Sequence, residues 1–196
     1  MEVKKLTDYV VVFHDVIPEK VLENFLDFCK ESDEFNKAEV IGENNINNQD
    51  IVRENIRKTL TMHLQSFGEK SLTKVHWANF FNRTFTDFIN NYREKIGTSE
   101  LFQIESIEVL KYVNNGFYKF HVDYHKKYPR AFSCIFLVNE DYEGGELVFK
   151  FPNSKEIHKI EKKKNSLIIW PSNFLYPHSV LPVTKGNRYS IVAWAS

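Results

Sequence analysis

The chain has 196 residues, 42% of them hydrophobic and 15% aromatic, with 26 basic and 26 acidic side chains. This apolar volume excludes the disordered class, and the length suits one folding unit, so a single domain spanning residues 1–196 is expected. Zero net charge argues against nucleic-acid binding, although residues 1–100 carry 13 Lys+Arg against 17 Asp+Glu and residues 101–196 carry 13 against 9, which mildly favours an anionic ligand in the second half.

The stretch Met1–Asp8 lacks the apolar core of a secretion signal, and runs such as Val10–Phe13 and Ile135–Val138 fall far short of the roughly 20 residues a membrane span needs. A cytoplasmic protein without membrane contact is expected, with Cys29 and Cys134 as reduced core thiols. Tyr9–Ile17 reads as a strand ending at Pro18, which opens a helix whose apolar positions are Val21, Leu22, Phe25, Leu26 and Cys29. Residues 42–50 are turn formers that could close over a ligand. Two further helices are predicted over about 50–65 and 70–96, so that residues 1–100 form a mainly helical support.

From Ile104 the period shortens to that of strands, predicted over 104–113, 117–124, 131–138, 146–151, 156–160, 166–170, 178–183 and 188–195. Helices and strands are segregated rather than alternating. The expected fold is therefore α+β: a double-stranded β-helix, or jelly roll, over residues 101–196 buttressed by the N-terminal helices. Gly144 and Gly145 read as a tight connection and Lys162–Lys164 as a solvated turn.

Candidate chemistry gathers in this second half. On a strand, His121 and Asp123 at i and i+2 project from one face and can converge on an ion. An imidazole–imidazole–carboxylate set suits iron(II) and leaves coordination positions open for a chelating co-substrate and dioxygen. Chance alone supplies about 0.3 His-x-Asp triplets in a chain of this composition, so the company of the triplet carries the argument. Upstream lies Tyr112-Val-Asn-Asn-Gly116-Phe-Tyr118-Lys-Phe-His121-Val-Asp123; downstream lie Gly144-Gly145-Glu146-Leu147, then Pro177-His178, then Lys185-Gly186-Asn-Arg188-Tyr189-Ser190 and Trp194. Arg188 sits in an apolar strand, where an unpaired charge is costly, and its planar fork matches a carboxylate through two parallel hydrogen bonds.

In order and spacing these residues resemble the iron(II)/2-oxoglutarate dioxygenases of the prolyl 4-hydroxylase-like branch, over roughly residues 104–195. The resemblance implies that His121, Asp123 and His178 hold the metal and that Arg188, assisted by Ser190, binds the far carboxylate of 2-oxoglutarate. Tyr112 and Tyr118 both match tyrosines that line or contact the co-substrate pocket, and both remain candidates. The chain departs from relatives that place a carboxylate-binding tyrosine on the strand after His-x-Asp, because Ser133 and Cys134 are the polar groups there. Implied cofactors are Fe(II), 2-oxoglutarate and O2, with ascorbate by the same resemblance. The implied reaction is hydroxylation of a C–H bond with release of succinate and CO2, on a prolyl residue of a peptide or protein. Phe117, Tyr124, Tyr128, Trp170 and Tyr176 are candidates for lining an extended-peptide groove. Two alternatives are a small-molecule substrate such as a free amino acid and a cupin-like, non-catalytic metal-binding jelly roll. His125 either lies on the ligand face, if the strand runs on past Asp123, or turns toward substrate or solvent.

Overall fold

The computed structural model describes residues 5–40, 51–65, 68–127, 129–152 and 154–196. After a 3-10 turn at Leu6–Tyr9 come β1 (Val11–His14), α1 (Glu19–Glu31), β2 (Asn36–Lys37), β3 (Arg57–Lys58), β4 (Leu60–His63) and α2 (Leu72–Ile96). The second half holds β5 (Ile104–Tyr112), β6 (Phe117–His121), β7 (Phe132–Leu137), β8 (Glu143–Gly144), β9 (Leu147–Phe149) and β10 (His158–Lys159). It ends with β11 (Ser166–Pro171), β12 (His178–Val180), β13 (Val183–Lys185) and β14 (Arg188–Ala195). A large sheet runs β1-β11-β7-β14-β5-β4-β2, a smaller one runs β10-β9-β12-β6-β3, and β13 pairs with β8. The fold is a double-stranded β-helix with helices on one side.

Side chains alternate across a strand, so the large sheet has two different faces. Ile191 and Ala193 of β14, Val109 of β5, Phe136 of β7 and Ile169 of β11 face the helices and pack with Phe25, Trp77, Phe81 and Phe85. Their neighbours Val192, Leu110, Ile135 and Ile168 point the other way, into the space between the sheets, where Phe149, Val180 and Tyr176 join them. Both strand faces are covered, and every residue of β7 and of β14 is buried. This explains why both strands read as near-continuous apolar runs.

The helices are set by their ends. Pro18 is the N-cap of α1. In α2 the Ser71 side chain accepts a hydrogen bond from the Lys74 amide and Gly97 closes the helix in the left-handed conformation (φ 79°). The helix predicted over 70–96 is thus observed with nearly those bounds. The helix predicted over 50–65 is not: residues 57–63 form β3 and β4. Val52, Ile56, Leu60 and Leu64, four residues apart, mimic helical spacing, but β4 is claimed by pairing with β5, Leu60 opposite Lys111 through His63 opposite Glu108. That register buries Met62 on the helix side, and tertiary pairing overrides a weak local preference. The first half is consequently less helical than expected. The turn-rich residues 42–50 lie outside the described residues.

Phe81 is fully buried, with its ring 4.7 Å from that of Phe25 and 5.8 Å from that of Phe136, so it joins both helices to the sheet. Phe81→Ala is expected to cost about 3–5 kcal/mol of stability, read from urea unfolding curves; a loss below 1 kcal/mol would mean the helices are not anchored there.

Candidate metal centre

The site begins with the pairing of β6 and β12. His178 stands opposite His121, and Val180 stands opposite Tyr118, so β6 carries one residue more than β12 over this step. This is a β-bulge, and it resets the alternation of β6. In a regular strand Tyr118 and His121, three apart, would face opposite ways; here their rings stack at 3.5 Å. Strand β6 stops at His121, earlier than the predicted Tyr124, so Asp123 reaches the site from the following loop rather than from the strand. The Tyr124 amide donates to the Ser172 carbonyl (3.0 Å), holding that loop against the end of β11.

His121, Asp123 and His178 bring one ligating atom each to within 4.8 Å of one another. Asp123 lies between the imidazoles, its Oδ1 3.5 Å from His121 Nε2 and its Oδ2 3.4 Å from His178 Nε2. Each imidazole is oriented from behind: His121 Nδ1 contacts the Lys119 carbonyl at 2.8 Å and His178 Nδ1 the Tyr176 carbonyl at 3.1 Å. A carbonyl can only accept, so both Nδ1 atoms carry the proton and both Nε2 lone pairs face the cluster. The Ser133 hydroxyl donates to Asp123 Oδ2 (2.6 Å) and contacts the Ser172 hydroxyl at 2.7 Å. Ser133 had been read only as a polar residue on an apolar strand. Its task is to aim the carboxylate, and the signal for it was a hydroxyl among Phe132, Cys134 and Ile135.

Burial lowers the His178 pKa to about 4, opposed by the Asp123 charge. Burial pushes the Asp123 carboxyl up, but His178, His121 and the Ser133 hydroxyl outweigh it and hold the group well below the usual carboxylate range. At neutral pH His178 is therefore a neutral imidazole beside an ionised Asp123, the protonation states a divalent ion requires of these two groups.

Arg188 and Ser190 occupy the same face of β14. Arg188 is 1% exposed and donates from Nη1 to the Ser190 hydroxyl (2.7 Å), while Nε and Nη2 are buried with no partner among the described residues. Tyr112 stands opposite Arg188 across the β14–β5 pairing, and the guanidinium carbon lies 5.1 Å from its ring centroid. The two tyrosines that sequence left undecided thus serve different ends of the site: Tyr112 lies beside Arg188 and Tyr118 lies against His121, with Arg57 4.9 Å over its other face.

A cavity of about 1150 Å³ opens at the cluster and runs out past Tyr112, Glu108, Arg130 and Trp194. Of the aromatics expected along a groove, Trp170 lines this cavity, with its ring 4.9 Å from His178. Tyr176 is buried in the core between the sheets, Phe117 lines a separate apolar groove beside Phe120 and Pro182, and Tyr124 is half exposed. Tyr128 lies outside the described residues. His125 is not in the ligand cluster, and its Nδ1 accepts the Lys127 amide (3.1 Å). Gly144 and Gly145 adopt positive φ, as a tight connection demands, and both cysteines are buried and unpaired.

The double-stranded β-helix thus carries an inward His–Asp–His cluster of a kind that suits a divalent metal ion, together with a buried arginine. Residues 107–196 match the family model of the 2OG-Fe(II) oxygenase superfamily. A PKHD-type hydroxylase of Gloeothece citriformis is 39% identical over 64 residues, 33% of this chain and 27% of that protein. Prolyl 3-hydroxylase 2 of Homo sapiens is 35% identical over 66 residues, 33% of this chain and 9% of that protein. The matches thus span about a quarter or less of these relatives' length. In three dimensions the chain is similar to a prolyl-4-hydroxylase of Pseudomonas putida, with TM-score 0.67 and 22% identity over 95% of this chain and 91% of that one. It is also similar to a prolyl hydroxylase of Trichoplax adhaerens crystallised with a hypoxia inducible factor peptide fragment, with TM-score 0.69 and 18% identity over 96% of this chain and 84% of that one. At these identities the likeness is one of fold.

Removing the Ser133 hydroxyl leaves Asp123 less well aimed, so Ser133→Ala is expected to weaken Mn(II) affinity about 10- to 100-fold in calorimetric titration; unchanged affinity would deny it the orienting role. The cluster also sets an acid response. The unfolded chain protonates histidine near 6.5, whereas folded His178 resists until about 4, so stability falls as pH drops through this window. Between pH 7 and pH 5 the metal-free protein should lose about 2 kcal/mol from His178 alone, and His178→Gln should flatten that slope in urea unfolding.

Proposed function

We propose that this chain is an Fe(II)- and 2-oxoglutarate-dependent dioxygenase that hydroxylates a prolyl residue of a peptide or protein, built as one domain over residues 1–196. The observation that carries the reading is the Arg188 guanidinium, which is buried with two nitrogens unpartnered among the described residues and lies beside Tyr112, a residue of the cavity that also reaches His121, Asp123 and His178. Leaving a charge buried and unpaired is expensive, and the missing partner is an anion. A five-carbon dicarboxylic keto acid supplies a carboxylate for Arg188 at one end and a chelating group for the metal at the other.

In this reading His121, Asp123 and His178 hold iron(II) on one face, and Ser133 with the Lys119 and Tyr176 carbonyls fix their orientation. Arg188 and Ser190 grip the far carboxylate, Tyr112 covers the guanidinium, and Tyr118 buttresses His121. Leu110, Ile135 and Val192 line the cavity between these two ends and keep water out. Bound iron and 2-oxoglutarate would supply the oxidising chemistry, in which the keto acid becomes succinate and CO2 while one oxygen atom of O2 enters a substrate C–H bond. Ascorbate would act as accessory reductant, and the two buried, unpaired thiols are consistent with a cytoplasmic setting.

Two features favour a macromolecular substrate. The cavity of about 1150 Å³ exceeds the roughly 300–1,000 Å³ of small-molecule pockets. The similar proteins are named as hydroxylases, several of them prolyl hydroxylases, and one was crystallised with a peptide.

The test is succinate release that requires both Fe(II) and 2-oxoglutarate, followed by mass spectrometry of peptide libraries for the gain of one oxygen at proline. Arg188→Ala should raise the 2-oxoglutarate requirement at least tenfold while leaving Mn(II) affinity within about twofold. Metal binding without any effect of 2-oxoglutarate would replace this reading with that of a binding protein.

A further inference from the structure

Arg188 has a neighbour that motif reading passed over. Tyr142 lies in the connection between β7 and β8, is 5% exposed, and shares with Arg188 the space beside Gly145. A Cβ placed on Gly145 would stand 3.1 Å from the Tyr142 ring and 3.1 Å from the Arg188 side chain, so the missing side chain is what lets the two meet. Other contacts hold Tyr142 in place. The Lys162 ammonium sits 4.6 Å from its ring centroid and donates to its backbone carbonyl. Asn139 of the same connection grips both flanks of Arg188, donating to the Asn187 carbonyl (2.8 Å) and accepting the Tyr189 amide (2.7 Å). The backbone of Gly186 packs against Tyr142 as well. Lys162, expected as part of a solvated turn, is thus engaged with the ring next to Arg188.

Burial pushes the Tyr142 phenol's pKa up, and Arg188 opposes this through its charge and through hydrogen bonding. The phenol therefore keeps its proton at neutral pH. Nε and Nη2 of the guanidinium still have no partner among the described residues. Strand β7 offers no hydroxyl at this end, since the residue in register with Ser190 is Leu137.

We infer that Tyr142 is a further binding residue of the co-substrate site, its hydroxyl joining Arg188 and Ser190 in holding the far carboxylate of the keto acid. A phenol placed beside a guanidinium can donate its proton to the same anion that the guanidinium attracts. The anion then receives a neutral donor in addition to the charged ones. The inference rests on the co-substrate reading above and adds to Arg188 and Ser190 a third residue that favours a dicarboxylic keto acid over a monocarboxylic one.

The test compares wild type with Tyr142→Phe, which deletes the hydroxyl and keeps the ring that packs on Lys162 and Gly145. Binding of 2-oxoglutarate and of 2-oxobutyrate, which lacks the far carboxylate, is measured by calorimetry on Mn(II)-loaded protein without turnover. Tyr142→Phe should weaken 2-oxoglutarate about tenfold and change 2-oxobutyrate less than twofold, with the unfolding midpoint and Mn(II) affinity preserved. Unchanged 2-oxoglutarate affinity overturns the inference. Equal weakening of both acids also overturns it, since that is the mark of a loosened pocket. If the wild type itself fails to prefer 2-oxoglutarate over 2-oxobutyrate, the co-substrate reading falls and this inference falls with it. If Arg188→Ala abolishes a preference that Tyr142→Phe leaves intact, only the inference is lost.

Discussion

The pairing of β12 with β6 is the constraint on which the site depends. It sets His178 directly opposite His121, and the bulge beside that pair turns Tyr118 to the same face. Without the extra residue in β6, Tyr118 and His121 would point to opposite sides and the ring that supports the imidazole would be lost. Ending the strand at His121 then frees the next two residues to bend, which lets Asp123 come between the two imidazoles. The cluster is thus a property of a register and its defect, more than of a three-residue motif.

The large sheet supplies the second half of the site and insulates it. One of its faces is covered by α1 and α2 through the aromatic cluster around Phe81. The opposite face carries Arg188, Ser190, Leu110 and Ser133 in the gap between the sheets. A low-dielectric gap strengthens each polar contact in it and raises the cost of leaving one unmade. The same burial keeps His178 neutral and pushes the Asp123 carboxyl up, but His178, His121 and the Ser133 hydroxyl hold that carboxyl below its usual range, and Arg188 Nε and Nη2 stay without a partner among the described residues. The site is built around charges that the fold itself does not neutralise.

Residues outside the His–Asp–His cluster and the proposed co-substrate site still decide geometry. Ser133 and Ser172 form a short hydroxyl relay behind Asp123, and Asn139 ties the connection after β7 to both flanks of Arg188. Gly145 matters for what it lacks, since any side chain there would stand between Tyr142 and Arg188. These residues hold the main polar groups within a narrow range of positions, which is what binding a small, doubly charged ligand against water demands.

Sequence alone marked most of the strands from Ile104 onward and the long helix ending at Gly97, because local period and capping are written along the chain. Its resemblance to a known family, with side-chain chemistry, put forward His121, Asp123, His178, Arg188 and Ser190 as candidates. Tertiary structure decided the rest. Residues 57–63 became strands because β5 offered a partner, against a spacing that imitated a helix. Tyr112 and Tyr118 could not be assigned to their ends of the site by a strict alternation of two, because the bulge broke it. Ser133 as an orienting hydroxyl and Tyr142 as the neighbour of Arg188 come from contacts between distant segments, and no pattern within a single segment records which side chain it will meet.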